Sequence, residues 1–295
     1  MRKEEKKVAD IYSLQRKSEA KRIALKVCAY AVLIFFAVLF IIPFLFALST
    51  SFTSPYGIYE KNYNWKWHAV DFSNYARLFR EYNIWGGFLN SILYIIPPIF
   101  LGVFTSAMAA FAFARLRFPG KTVVFYLLLS TVVMPGVITL IPSYILFASV
   151  YNWANTPLPL IVPGCFGAAL TMFFIRQFFM TLPKELEYAA QIDGLNWWGI
   201  FIKVAIPLAK PVLITQIILS FNGAYNDYLG PLLYVGNVDA YKTLQLVLSS
   251  ISTVHSKPYT LMMAGAVVAL IPTFILYLAA QKSFIEGIVM TGIKG

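Results

Sequence analysis

PKELEYAAQIDGLNWWGIFIKVAIP, residues 183–207, lies between apolar runs at 158–179 and 205–235. Glu185, Glu187 and Asp193, a Gly turn and the pair Trp197–Trp198 belong on the water side of an apolar boundary. Pro183 suits the first position of a helix, and Glu185 and Glu187 follow where the helix dipole favours negative charge. Leu186, Ala189 and Ala190 share a face by their three- and four-residue spacing. Asp193-Gly194 supplies a turn in which Gly tolerates positive φ, and Asn196 caps the next helix. The tryptophans suit a membrane interface. The stretch therefore predicts a short helix lying along a membrane, a bend, and a helix that enters it.

The flanks supply the membrane. The 295 residues are 59% hydrophobic and 13% charged, with a mean hydropathy of +0.69. A helix of about 20 apolar residues crosses the ~30 Å hydrocarbon layer. Runs at 24–48, 86–114, 122–150, 158–179, 205–235 and 259–281 reach that length, so the expected fold class is an all-α integral membrane protein with six transmembrane helices. Internal prolines are compatible with this, because neighbouring helices re-satisfy the freed backbone groups. The first run is too long for the ~7–15 apolar residues of a signal peptide, and it is read as a span.

Lys and Arg set the orientation, since positive loops stay cytoplasmic. With the N-terminus inside, that side collects the basic residues of 2–26, then Arg115, Arg117, Lys121, Arg176, Lys184, Lys203, Lys210, Lys282 and Lys294. The opposite side holds only Lys61, Lys66, Arg77, Arg80, Lys242 and Lys257. Both termini are expected in the cytoplasm. This asymmetry accounts for most of the net charge of +11, and no compact basic domain points to nucleic acid. The basic start reads as a topology anchor beside anionic lipid.

Reacting groups are sparse. His68 and His255 have no Cys or acidic neighbour at metal-ligand spacing, so neither a metal nor a catalytic residue is expected. FPGKT at 118–122 ends like a phosphate loop, but Arg115 stands where its first Gly is required. Cys28 and Cys165 fall in spans and imply no disulfide framework.

The fifth run carries the unusual polarity. Its acid, Asp227, joins Gln216, Ser220 and Gly223 in one stripe at 100° per residue, flanked by Thr215, Asn222 and Asn226. Such a face either bonds to neighbouring helices or lines a watery path, in which Tyr225 and Tyr228 are available to stack on a ligand. The short helix at 183–192 likewise reads either as an ordinary interfacial helix or as a surface that receives force from a soluble partner.

Ala189, Ala190, Asp193, Gly194 and Pro207 resemble the EAA loop of ABC-type importer permeases, with Tyr188 in place of its Glu. The resemblance continues through LNSILY (89–94), FAFARLRFPGK (111–121), IPSYILF (141–147), FFIRQFFMTLPKEL (173–186), YNDYLGPLLYV (225–235) and GIVMTGIKG (287–295). It is strongest with the carbohydrate branch that includes the smaller maltose permease subunit.

The resemblance implies a type I importer permease fold in a bacterial or archaeal cytoplasmic membrane. It implies a heterodimer with a second permease, two ATPase subunits that carry ATP and Mg, an extracytoplasmic solute-binding protein, and a sugar or oligosaccharide as cargo. It makes 183–207 the loop that docks on the ATPase, with Glu185 or Glu187 in place of the missing Glu. The expected organisation is a basic segment at 1–25, a first span and outer loop at 26–84, a permease core at 85–281, and a cytoplasmic tail at 282–295. An ion-coupled carrier should instead show internal repeats and several buried ionisable groups. A non-transporting scaffold subunit is the remaining alternative.

Overall fold

A computed structural model describes residues 2–54, 70–252 and 258–292, with side chains for 21–54, 70–252 and 258–281. His68, His255, much of the outer loop and the last residues of GIVMTGIKG lie outside the described residues. The chain runs through α1 (Arg2–Ser51), α2 (Ser73–Glu81), α3 (Ile84–Arg115), α4 (Lys121–Val133) and α5 (Gly136–Ile145). Then follow α6 (Leu158–Ile161), α7 (Ala169–Thr181), α8 (Glu185–Ile192), α9 (Trp197–Ile200) and α10 (Ile206–Leu208). It ends with α11 (Lys210–Tyr225), α12 (Leu229–Val235), α13 (Leu244–Ser249) and α14 (Tyr259–Gly292). Among the described residues there is no strand.

Four stretches are long and apolar enough to cross a membrane: Lys21–Ser51, Ile84–Arg115, Leu158–Thr181 and Tyr259–Gln281. Two bent pairs raise the number to as many as six if each is counted as one span. The third expected span is two helices meeting at 97° between Val133 and Gly136, where Pro135 lacks an N–H and constrains the residue before it. The fifth also differs from a single helix over 205–235. It begins at Trp197, bends by 75° between Leu208 and Lys210, and stops at Tyr225. Pro207 and Pro211 flank that bend. At the other end α14 continues past residue 281 to Gly292.

α3 is the central post. One buried cluster packs its C-terminal half (Ala107, Phe111, Phe113) against α7 (Ile175, Phe179), α8 (Ala190) and Phe201. A second packs its N-terminal half (Ile84, Ile95, Ile99) against Leu78, Tyr225, Leu244 and Leu261. Midway, the segment before α7 lies directly on the helix. A Cβ on Gly102 would stand 2.3 Å from the Gly164 carbonyl oxygen, so only glycine permits that approach.

Candidate docking helix and membrane cavity

Helix α8 ends in a Schellman turn. Leu195 N–H donates to the Ala190 carbonyl at 3.0 Å, and Gly194 N–H donates to the Gln191 carbonyl at 3.0 Å. The turn needs a left-handed residue, and Gly194 has φ +80°. Asn196 then accepts from Gly199 N–H at 2.8 Å and caps α9, as the sequence predicts. Such caps contribute about 1 kcal/mol each. Asp193 is the exposed C-cap of α8.

The two faces of α8 divide the candidate docking residues. Ala190 is 6% exposed and belongs to the core beneath the helix, so its small side chain serves this chain's own packing and not a partner's approach. The expected face of Leu186, Ala189 and Ala190 is therefore split, with Ala189 pointing outward. Glu187 also turns inward, and its carboxylate pairs with Arg115 Nε. Outward stand Glu185, Tyr188, Ala189 and Ile192, the last 87% exposed. Of the two acids weighed for the missing motif Glu, only Glu185 remains free to meet a partner. The outward face is an apolar ridge with one acid, held on a helix whose other face is locked.

Arg115 provides much of that lock. It lies in the last turn of α3, where positive charge suits the dipole, and its Nη2 also donates to the Leu182 carbonyl at 2.8 Å. The side chains of Arg115 and Glu187 are 6% and 13% exposed. Burial pushes the Glu187 carboxyl above the ordinary glutamate value, although Arg115 and Lys184 pull it down. The pair is therefore costly to bury, and removing one partner strands the other at about 3–5 kcal/mol. Nearby, Arg176 Nε donates to the Phe113 carbonyl at 3.2 Å, and its guanidinium lies 4.2 Å from the Phe125 ring centroid. These contacts tie α4 and α7 to the same end of α3. Both arginines read in sequence as topology charges, and the stretches FAFARLRFPGK and FFIRQFFMTLPKEL include them without a role.

A cavity of about 290 Å³ lies between α3, the segment before α7, α11 and α12. Ser91, Tyr94, Pro98 and Ser106 form its α3 wall, and Ser220, Tyr225 and Asp227 face them. Its volume is just under the roughly 300–1,000 Å³ of ligand clefts, enough for one small ring or part of a chain. A groove of about 710 Å³ between α2, α3 and α14 is larger, but it is lined by groups such as Phe79, Trp85, Phe221 and Ile271. That lining suits hydrocarbon and offers little to a hydroxyl-rich cargo.

The expected polar stripe is only partly assembled. Helical periodicity does not reach Asp227, because α11 has ended at Tyr225. Asp227 is exposed in the break, where Oδ1 accepts from Gly230 N–H at 3.2 Å at the start of α12. A short acid that can bond to nearby backbone favours such a break over continued helix. Gln216 is buried between helices and Ser220 is half-buried. Asn226 Nδ2 donates to the Asn222 carbonyl and Oδ1 at 2.9 and 3.0 Å, and both side chains are exposed.

Tyr225 is not a free stacking platform. Its ring stacks on Phe221 with centroids 5.3 Å apart, and its hydroxyl donates to the Ala269 carbonyl at 3.2 Å. Tyr228 is exposed. The α3 wall is not legible in the sequence, because Asn90–Ser91 and Thr105–Ser106 are only short polar pairs in a long apolar run. Among the described residues no group of His, Cys, Asp and Glu could hold a metal ion.

Up to six candidate spans, a helix locked against the bundle with an apolar ridge outward, and a small cavity among the helices describe a multi-pass membrane protein. The family model described as binding-protein-dependent transport system inner membrane component matches residues 102–288, and the chain belongs to that family. It is a membrane permease component and not an enzyme, and permeases of this family bind no cofactor themselves. The chain is 31% identical over 258 residues to the diacetylchitobiose uptake system permease protein NgcG of Streptomyces coelicolor, covering 86% of this chain and 84% of that one. It is 32% identical over 228 residues to the arabinooligosaccharides transport system permease protein AraQ of Halalkalibacterium halodurans, covering 77% and 81%. A crystal structure of a bacterial ABC transporter involved in alginate import shares the fold, with a TM-score of 0.77 at 22% identity over 88% of this chain and 96% of that one.

Proposed function

We propose that this chain is one permease subunit of an ATP-driven, binding-protein-dependent importer of a sugar or oligosaccharide. It pairs with a second, related permease, and two ATPase subunits carrying ATP and Mg sit on the α8 side. An extracytoplasmic solute-binding protein delivers the cargo to the opposite side, and both termini are cytoplasmic. The observation that carries the reading is α8 itself. Its inner face is locked to α3 by Arg115 and Glu187, while Tyr188, Ala189 and Ile192 project outward as a ridge suited to a cleft on a soluble partner.

ATP closes the ATPase pair and displaces the docked helix, and the permease pair then alternates between access from the two sides. The cavity beside α3 and Asp227 belongs to the path, with Ser220 and Asp227 offering polar contacts. The named cargoes of relatives, diacetylchitobiose and arabinooligosaccharides, support the sugar class.

The test is uptake of labelled diacetylchitobiose and arabinotriose into proteoliposomes containing the full complex. The proposal expects uptake to need enclosed ATP and external binding protein, and to persist when ion gradients are collapsed. Uptake that follows an ion gradient without ATP supports the ion-coupled alternative. No uptake of either sugar by an assembled, ATP-hydrolysing complex contradicts the sugar reading.

A further inference from the structure

Besides the short link back to α7 and the packing of Ala190 in the core, two routes lead from α8 into the membrane helices. One follows the chain through Gly194 into α9, and it is compliant. It passes a left-handed turn, the π-helical segment Phe201–Ala205 and a 75° bend before α11 begins. Each of these can absorb a displacement. The other route crosses space through one buried side chain. Arg115 holds the Glu187 carboxylate on α8 and the Leu182 carbonyl before it, and it is itself part of α3.

We propose that Arg115 is the positioning residue that makes α8 and the adjoining half of α3 move as one body, so that ATPase motion reaches the cavity through α3. The inference rests on the permease reading above and adds the path of the force. α3 is a continuous helix of 32 residues, about 48 Å long at the usual rise. From Phe111 to Arg115 it is packed against the docking end. From Ser91 to Ser106 it walls the cavity. Pro98 lies in that wall with Pro97 before it, and proline removes the helical bond at the point where a tilt of one half would be taken up. A displacement of α8 therefore tilts the part of α3 beyond Pro98 and moves the cavity wall at Gly102, Val103 and Ser106. Arg115 reaches no cargo and no ATP.

The test uses the complete importer with its partner permease, ATPase and binding protein in proteoliposomes. ATPase retention and sugar imported per ATP are read together, with labelled diacetylchitobiose and arabinotriose as probes. Arg115→Met is expected to keep ATPase retention within about twofold and to lower import per ATP roughly tenfold. Glu187→Gln is expected to lower it in the same direction, and the double variant to be no worse than Arg115→Met, because both act through one contact. Arg115→Lys, which keeps the charge, should recover part of the loss.

A purely structural role predicts fewer assembled complexes with unchanged import per ATP, and that result overturns the proposal. Fully additive losses in the double variant also overturn it. If Arg115→Met fails to assemble, Glu187→Gln decides, and unchanged import per ATP in that variant contradicts the tie. A wild-type complex that hydrolyses ATP but imports neither sugar defeats the sugar-importer reading on which the tie rests, and the tie falls with it. A working wild type with unaffected variants defeats the tie alone.

Discussion

Gly194 has φ +80° and open space where a Cβ would stand, so any effect of substitution there comes from the backbone. Gly194→Val should cost roughly 1–3 kcal/mol in turn stability and reduce sugar-coupled ATP hydrolysis. Gly194→Asn, which tolerates the left-handed region, should keep most of it, and a comparison of the two ATPase activities checks this. Ala190 and Ile192 lie two residues apart and should fail differently. Ala190→Leu overfills a packed core, costing roughly 1–3 kcal/mol and lowering the yield of folded chain. Ile192→Asp leaves the fold intact, and size-exclusion yields of each variant test the contrast. Glu187 adds a pH signature. Burial holds its carboxyl above 4.5 against the pull of Arg115 and Lys184. A raised acid pKa means the folded chain binds the proton more tightly than the unfolded chain, so this group's cost to stability is full above its folded pKa, shrinks as pH falls from there, and is gone only below the unfolded value. Acidification through that window should therefore not weaken the fold on this group's account, yet it removes the ion pair. Import per ATP by the wild type should fall toward that of Glu187→Gln as pH drops, and a constant gap between them contradicts this account.

Among elements, the break between α11 and α12 assigns Asp227 its place, and two substitutions separate its roles. Asp227→Asn keeps an acceptor for Gly230 N–H, whereas Asp227→Leu removes it. A local structural role predicts normal uptake in the Asn variant and a lower complex yield in the Leu variant. A role in the path predicts that at least one variant assembles, retains the ATPase and fails to import, with yield and uptake measured on the same preparations. The break also shows what the sequence conceals. Hydropathy located the apolar runs, because crossing hydrocarbon constrains composition directly. It did not locate the bends, since Pro142 and Pro272 lie inside helices while Pro135 and Pro207 accompany bends. Local propensity does not distinguish them, because neighbouring helices decide whether a freed carbonyl finds a partner. The Gly194 turn and the Asn196 cap were legible because their bonds are local. The Arg115–Glu187 pair was not, because 72 positions' worth of chain folds back to make it, from residue 115 to residue 187.

At the scale of the whole molecule, α3 passes through two buried clusters, with α8 near one end and the cavity wall toward the other. The central claim is that the outward ridge of α8 receives the ATPase. Its most direct test is retention of the ATPase subunit on tagged wild-type and Ile192→Asp complexes purified from membranes at matched amounts of both permeases. Ile192 is 87% exposed, so the variant disturbs little within this chain and places a charge where an apolar contact is required. The account predicts that the wild type retains the ATPase and that Ile192→Asp, with its permease partner still bound, loses roughly tenfold or more of it. Equal retention by the two complexes would contradict the account.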